Sequence, residues 1–406
     1  MVAAVQKQRG TVALVVLLGI AVLFNYVDRG AIGIAAPLMT SELKLKPEAF
    51  GLVLSAFFWV YAPVQLIVGW LVDRFSVYRL MAAGVLLWAV ATLAMGFAAG
   101  FASLLLLRVF LGMGETIAFP GASKIITRHV PDERRGMANA ALALGIALGP
   151  AVGTLAGGLI LAAQGWRAIF FAFGAVTLLW LLPWHLAVRN LGQVAAETST
   201  TRVPLGTLVS KWPLWSMSIA HMASNYVFYF LLGWLPLFLT RSRGLPIAEM
   251  TWIATLGYAA QAVSALGFGY VSDWWTRHGY GEAAVRRAMM FGGQLVAAAA
   301  VFALAYARTN TELALVLCVA GVATGALSLN TYAVAQMFAG PRAAGTWVGI
   351  QNAIGNLSGI FGPILTGIIV QNAGYTSACV VTAAIAAAGA IWWIVGVPAI
   401  RQVEFD

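Results

Sequence analysis

The chain reads as an all-α membrane protein with twelve transmembrane helices arranged as two six-helix bundles. Three observations predict this. Composition is the first: 61% of the 406 residues are hydrophobic and 9% are charged, against about 25% charged in a soluble domain. So few charges cannot clothe a water-facing surface, and lipid must cover most of the protein. The second is the length of the apolar runs. A bilayer core of about 30 Å takes about 20 helical residues to cross, and twelve segments qualify: 11–36, 47–72, 77–98, 101–123, 137–163, 166–188, 212–239, 247–272, 286–306, 312–339, 343–371 and 374–397. The runs are continuous, without the period-two alternation of a membrane β-barrel. The third is an internal repeat, treated below.

Taken in order, the first run follows Lys7 and Arg9, a flank that resembles a signal peptide. It is too long for a signal h-region and lacks a cleavage site, so it reads as the first membrane helix. The second run ends in GWLVDR at 69–74 and the eighth in GYVSDW at 269–274, with one Gly-to-Asp spacing and an offset of 200 residues. The longest polar gap, 189–211, divides the helices six and six. The expected domains are therefore an N-terminal bundle over 1–188, a cytoplasmic linker over 189–211 and a C-terminal bundle over 212–406, two parallel copies of one unit. Orientation follows from the basic residues. With the N-terminus inside, 16 of the 24 Lys and Arg residues face the cytoplasm and six face outward, as the positive-inside bias requires. This distribution, in short gaps rather than one patch, also excludes nucleic acid as the partner of the net charge of +10. Cys318 and Cys379 both sit in apolar runs, so a disulfide framework and a metal cluster are excluded as organising devices. Short loops and the absence of targeting features point to a bacterial inner membrane; a monomer is expected, though no sequence feature bears on it.

The two remaining arginines, Arg29 and Arg108, fall inside helices, as do Asp28 and Glu115. An ionised group at the bilayer centre costs at least about 2.5 kcal/mol, so these four must face a polar interior or one another. At 1.5 Å per residue, Arg29 and Arg108 each lie about 10 Å from the outer ends of their helices. Glu115 follows Arg108 by two turns on one face, and Asp28 is about 100° around the helix from Arg29. Arginine offers a permanent charge and a rigid fork for a carboxylate or phosphate. Carboxyl groups removed from water can load and release protons near neutral pH. Two readings follow: Arg29 and Arg108 clamp an anion while Glu115 and Asp28 carry protons, or Asp28–Arg108 and Glu115–Arg29 are structural ion pairs.

At these residues the chain resembles the major facilitator superfamily, and within it the anion:cation symporter family of sugar-acid and organic-acid carriers. The resemblance rests on NYVDRGAIGIAAP in the first helix, SAFFWVYAPVQLIVGWLVDR in the second, RVFLGMGETIAFPG in the fourth, NYVFYFLLGWLPLFL in the seventh and GIQNAIGNLSGIFGPILTG in the eleventh. It touches both halves. It implies two bundles about a central cavity, transport by alternating access, carboxylate binding by Arg29 and Arg108, and proton coupling by Glu115 and Asp28. It gives Tyr26 and Tyr61 a place near the substrate. It also implies a cytoplasmic gate at Asp73, Arg74 and Arg79, repeated less completely by Asp273. One departure is GIALGPAVGTLAGG in the fifth helix, similar to the Gly-Pro motif of proton antiporters; a Gly-rich helix also packs closely for steric reasons alone.

The C-terminal half offers neutral groups instead: Asn225 and Tyr229 in the seventh helix with His221 beside them, Gln261 in the eighth, Ser328 in the tenth, and Asn352 and Asn356 one turn apart in the eleventh. Such amides and phenols suit a hydroxyl-rich anion, or they serve as interhelical glue. The expected function is proton-coupled symport of a small organic anion, with protons as the coupling ion and no cofactor; the alternative is an organic-anion exchanger not driven by protons. No nucleophile–base pair, metal spacing or phosphate loop supports an enzyme.

Overall fold

The computed structural model describes residues 2–131, 134–189 and 203–405. All regular structure among them is helical: α1 Val2–Glu42, α2 Pro47–Arg74, α3 Val77–Met95, α4 Phe101–Glu115, α5 Ala118–His129, α6 Arg135–Gln164, α7 Trp166–Leu179, α8 Leu181–Val188, α9 Leu205–Val209, α10 Trp212–Leu237, α11 Ile247–Arg277, α12 Glu282–Leu304, α13 Asn310–Gly355 and α14 Ser358–Val395. Among the described residues, ten stretches are long and apolar enough to cross a membrane. One of them, Arg342–Val395, is 54 residues long and turns at Gly374, where φ is 80°. It therefore holds two crossings. Helix α11, at 31 residues, covers the eighth apolar run of the sequence and has the length for the twelfth crossing. Gly340 likewise interrupts α13 at φ 60°. Both turns need the left-handed region that glycine enters without a Cβ penalty.

The chain divides into two compact units. Unit 1 comprises Met1–Leu45 and Leu52–Glu197; unit 2 comprises Lys46–Gly51 and Thr198–Asp406. In unit 1, α1 packs closely along α6 because α6 shows it a glycine stripe. A Cβ on Gly145 would lie 2.7 Å from the Gly19 carbonyl oxygen, and one on Gly149 would lie 2.5 Å from Tyr26 Cβ. These glycines belong to the GIALGPAVGTLAGG segment, so its composition has a steric use against α1. In unit 2, α11 and α13 approach in the same way: a Cβ on Gly321 would lie 2.1 Å from the Gly257 carbonyl oxygen. Large apolar side chains such as Leu106, Val152, Leu182 and Ile394 stay exposed on the outer faces, where in a membrane they meet acyl chains.

Several boundaries differ from the sequence expectation. The first helix runs through Pro37 to Glu42, so Arg29 lies about 20 Å rather than about 10 Å from its end. The fourth crossing is two helices, α4 and α5, because the Thr116 hydroxyl donates to the Met113 carbonyl oxygen at 2.6 Å and competes with the backbone ladder. The eleventh crossing loosens similarly at Asn356, whose amide donates to the Asn352 carbonyl oxygen at 2.8 Å. The seventh ends in a π-helical turn, Phe238–Ser242. Of the expected linker, residues 190–202 lie outside the described residues. The remainder is docked: Val203 and Leu208 are buried in a unit 2 core with Met217, Phe338, Trp347 and Trp393.

Candidate functional site

The interior of unit 1 gathers all four membrane-embedded charges. Asp28, Arg29, Arg108 and Glu115 are 1%, 4%, 2% and 0% exposed, which places each beyond the reach of bulk water. Arg29 and Glu115 form an ion pair: Nε and Nη2 of Arg29 donate to Glu115 Oε2 at 3.2 and 2.9 Å. The Arg29 fork also reaches Asn25 Oδ1, one turn back on α1, at 3.2 Å. Three aromatic rings surround its guanidinium, with Tyr61 at 4.7 Å, Phe57 at 4.8 Å and Tyr26 at 5.0 Å. A desolvated cation gains about 2 kcal/mol from such a face.

Arg108 is placed differently. Its guanidinium lies 5.0 Å from the same Phe57 ring. Among the described residues only Nη2 finds an acceptor, the Leu54 carbonyl oxygen at a long 3.5 Å. Nε and Nη1 are buried without a hydrogen-bond partner among the described residues. Leaving a buried charge uncompensated costs several kcal/mol. The helices are in close contact here: a Cβ on Gly112 of α4 would lie 2.2 Å from the Phe57 carbonyl oxygen of α2.

Asp28 turns away from this cluster. Its Oδ2 accepts from the Trp88 indole of α3 and the Thr177 hydroxyl of α7, both at 3.1 Å, while Oδ1 has no partner among the described residues. Of the two ion pairs weighed in the sequence, Arg29–Glu115 is present and Asp28–Arg108 is not found among the described residues. Among the described residues, Arg29 thus makes an ion pair with a carboxylate and Arg108 makes none.

The polar positions of unit 2 form a neutral cluster. Tyr229 Oη donates to Asn356 Oδ1 at 2.5 Å, Tyr332 Oη donates to Asn352 Oδ1 at 3.2 Å, and the two asparagines are linked through the Asn352 carbonyl. The His221 ring stands edge-on to Tyr332 at 5.8 Å. Asn225 is half-buried one turn on from His221. Gln261 and Ser328 are not brought to this cluster by any hydrogen bond described. Ser328 donates to its own helix at Gly325, and Gln261 lines a narrow gap with Leu235, Tyr258 and Leu317. Of the expected gate, Arg74 and Arg79 are exposed, while the side chains of Asp73 and Asp273 lie outside the described residues.

Sequence reasoning missed Phe57, Asn25, Trp88, Thr177 and Tyr332. Two had a readable signal: Phe57 is four residues before Tyr61 and Asn25 four before Arg29, which puts each on its partner's helix face. Trp88 and Thr177 carried none, because only packing brings α3 and α7 to Asp28.

A family model described as Major Facilitator Superfamily matches residues 18–284 and 217–403. Among curated relatives, Probable anion transporter 4, chloroplastic, of Oryza sativa subsp. japonica is 29% identical over 385 residues, which cover 90% of this chain and 65% of that protein. The chain thus spans slightly less than two thirds of that relative's length. The hexuronate transporter of Bacillus subtilis (strain 168) is 29% identical over 384 residues, covering 89% of this chain and 88% of that one. A crystal structure of a bacterial homologue of the human lysosomal transporter Spinster, inward-facing and occupied, is similar with a TM-score of 0.81 at 21% identity, covering 94% of this chain and 96% of that one. That likeness bears on the fold alone.

Proposed function

This chain belongs to the Major Facilitator Superfamily, and on that premise we propose that it carries a small organic anion, a sugar acid or another carboxylate, together with protons by alternating access. The observation that carries the reading is Arg108, a buried guanidinium with two donors unmet beside a second guanidinium that shares its aromatic neighbour Phe57. A carboxylate is the ligand whose geometry and charge such a fork fits. The names of relatives, anion transporter and hexuronate transporter, support the same class.

The Arg29–Glu115 pair supplies a route for coupling. Glu115 Oε2 holds both Nε and Nη2 of Arg29, the donors a substrate carboxylate would use. A proton on Glu115 would cancel the carboxylate charge and free that fork, so that the anion could bridge Arg29 and Arg108. Proton binding and anion binding then strengthen each other, as linkage demands of a symporter. Asp28, held by Trp88 and Thr177, is a second proton carrier or an anchor of α1 in this reading. The amide–phenol cluster of unit 2, Tyr229, Asn352 and Asn356, would suit the hydroxyls of a sugar acid. A cytoplasmic N-terminus, supported by the positive-inside distribution of Lys and Arg, and a bacterial inner membrane complete the proposal.

The test is to add candidate acids (uronates, aldonates, aromatic acids) to lightly buffered proteoliposomes and follow external pH. External alkalinisation with one class of acid, lost in both Glu115→Gln and Arg108→Ala, is the expected result. Uptake of labelled acid with no proton movement, unchanged by Glu115→Gln, would overturn symport in favour of exchange.

A further inference from the structure

Away from the buried charges, unit 1 carries a groove on its outer surface between α3 and α8. It encloses about 330 Å³. Ala82, Ala83, Leu86, Leu181 and Val188 form its walls. The shape originates in α3, which has alanine at 82 and 83 where its next outward-facing positions, Leu86 and Val90, are large. The floor is rigid: Trp184 is 1% exposed, its indole donates to the Tyr78 carbonyl oxygen at 3.2 Å, and it stacks on Trp180 at 4.8 Å.

One end of the groove is polar and basic. Arg79 in the first turn of α3 and His185 in the last turn of α8 both line it, both are exposed, and neither has an ion-pair partner among the described residues. Among the described residues, no Asp or Glu lines the groove. The last turn of α5, which carries Arg128 and His129, reaches the same end through a Tyr78–His129 hydrogen bond. The flanking surface is exposed leucine, Leu182 and Leu186.

We propose that this groove binds an anionic phospholipid, with an acyl chain against the alanine and leucine walls and the phosphate on Arg79 and His185. Charge complementarity selects an anionic headgroup, as in basic pockets between transmembrane helices. The apolar walls select a lipid over a free phosphate, which would meet the two basic side chains and leave the remaining surface uncovered. An aliphatic stem that runs along apolar surface with its charge at the interface is also the ordinary placement for Arg79.

The experiment uses full-length, delipidated protein in detergent, titrated with phosphatidylglycerol, phosphatidylcholine or glycerol 3-phosphate, with bound molecules counted by native mass spectrometry. Phosphatidylglycerol should be retained at least about fivefold better than phosphatidylcholine, the effect of roughly one cation at a lipid surface. The double variant Arg79→Gln/His185→Gln should remove that preference. Ala83→Trp, which fills the groove, should abolish the tightly held lipid, whereas Val90→Trp, two turns further along α3, should not. Equal retention of the two lipids by the wild type would overturn the proposal. So would phosphatidylglycerol retention that survives the double glutamine variant, or binding of glycerol 3-phosphate as strong as that of the lipid. If Ala83→Trp does not fold, the double variant decides alone.

Discussion

Arg108→Met separates a binding role from a structural one, because the two roles predict opposite signs for stability. Arg108 is 2% exposed, contacts one carbonyl oxygen at 3.5 Å, and leaves Nε and Nη1 without partners among the described residues. Methionine matches much of its length and carries no charge. Exchanging buried charge for apolar volume stabilises by about 1–4 kcal/mol when the charge is poorly compensated. The opposite change falls on the anion. A hydrogen bond to a charged group contributes about 1.5–3 kcal/mol, so losing a two-pronged contact weakens binding by at least about 3 kcal/mol, a factor on the order of 100. Thermal unfolding in nanodiscs, followed by tryptophan fluorescence with and without the transported acid, reads both effects. Wild type at 100 times its Kd should gain about 2.7 kcal/mol from ligand. The variant should melt higher than wild type without ligand and gain no more than about 0.4 kcal/mol from it at the same concentration. A variant that melts lower and still shifts with ligand would refute the reasoning: Arg108 would then be a structural cation whose partner the described residues do not include.

Three further outcomes are expected. Phe57→Leu removes the ring that both guanidinium groups face at 4.8 and 5.0 Å; a loss of about 1–2 kcal/mol should raise the Kd for the anion about five- to thirtyfold by isothermal titration, with circular dichroism unchanged. Gly149→Val drives a Cβ to within 2.5 Å of Tyr26 Cβ and 3.0 Å of the Leu23 carbonyl oxygen. It should lower the unfolding midpoint by an amount corresponding to about 1–3 kcal/mol of overpacking, and Gly267→Val, which meets nothing within 4 Å, should not. Tyr229→Phe removes the donor to Asn356 Oδ1; transport assays should show a KM raised several-fold for a polyhydroxylated acid and unchanged for a deoxy analogue, the equivalent of about 1 kcal/mol for one hydrogen bond.

What the chain determines through local chemistry is legible in the sequence itself. Low charge and long apolar runs dictate membrane helices, because backbone polar groups in lipid must bond within their own segment. Four charges isolated in those runs announce a polar interior, because hydrocarbon penalises each of them. The residues Asp28, Arg29, Arg108 and Glu115 were identifiable on that ground alone. Their pairing was not. Arg29 takes Glu115 and Asp28 takes Trp88 and Thr177 because the glycine stripe of α6 sets how α1 lies and α3 and α7 then close over one of its faces. Helix ends depart from the sequence expectation where a side chain reshapes a turn, as at Thr116, or where a helix tolerates proline, as at Pro37. The roles of Phe57 and Tyr332 depend on which helix stands opposite, and the open donors of Arg108 depend on which acids do not. Partition into lipid is a property of each segment by itself, and so composition decides it. Compensation of a charge is a property of the groups around it, which separate helices bring together only when they pack.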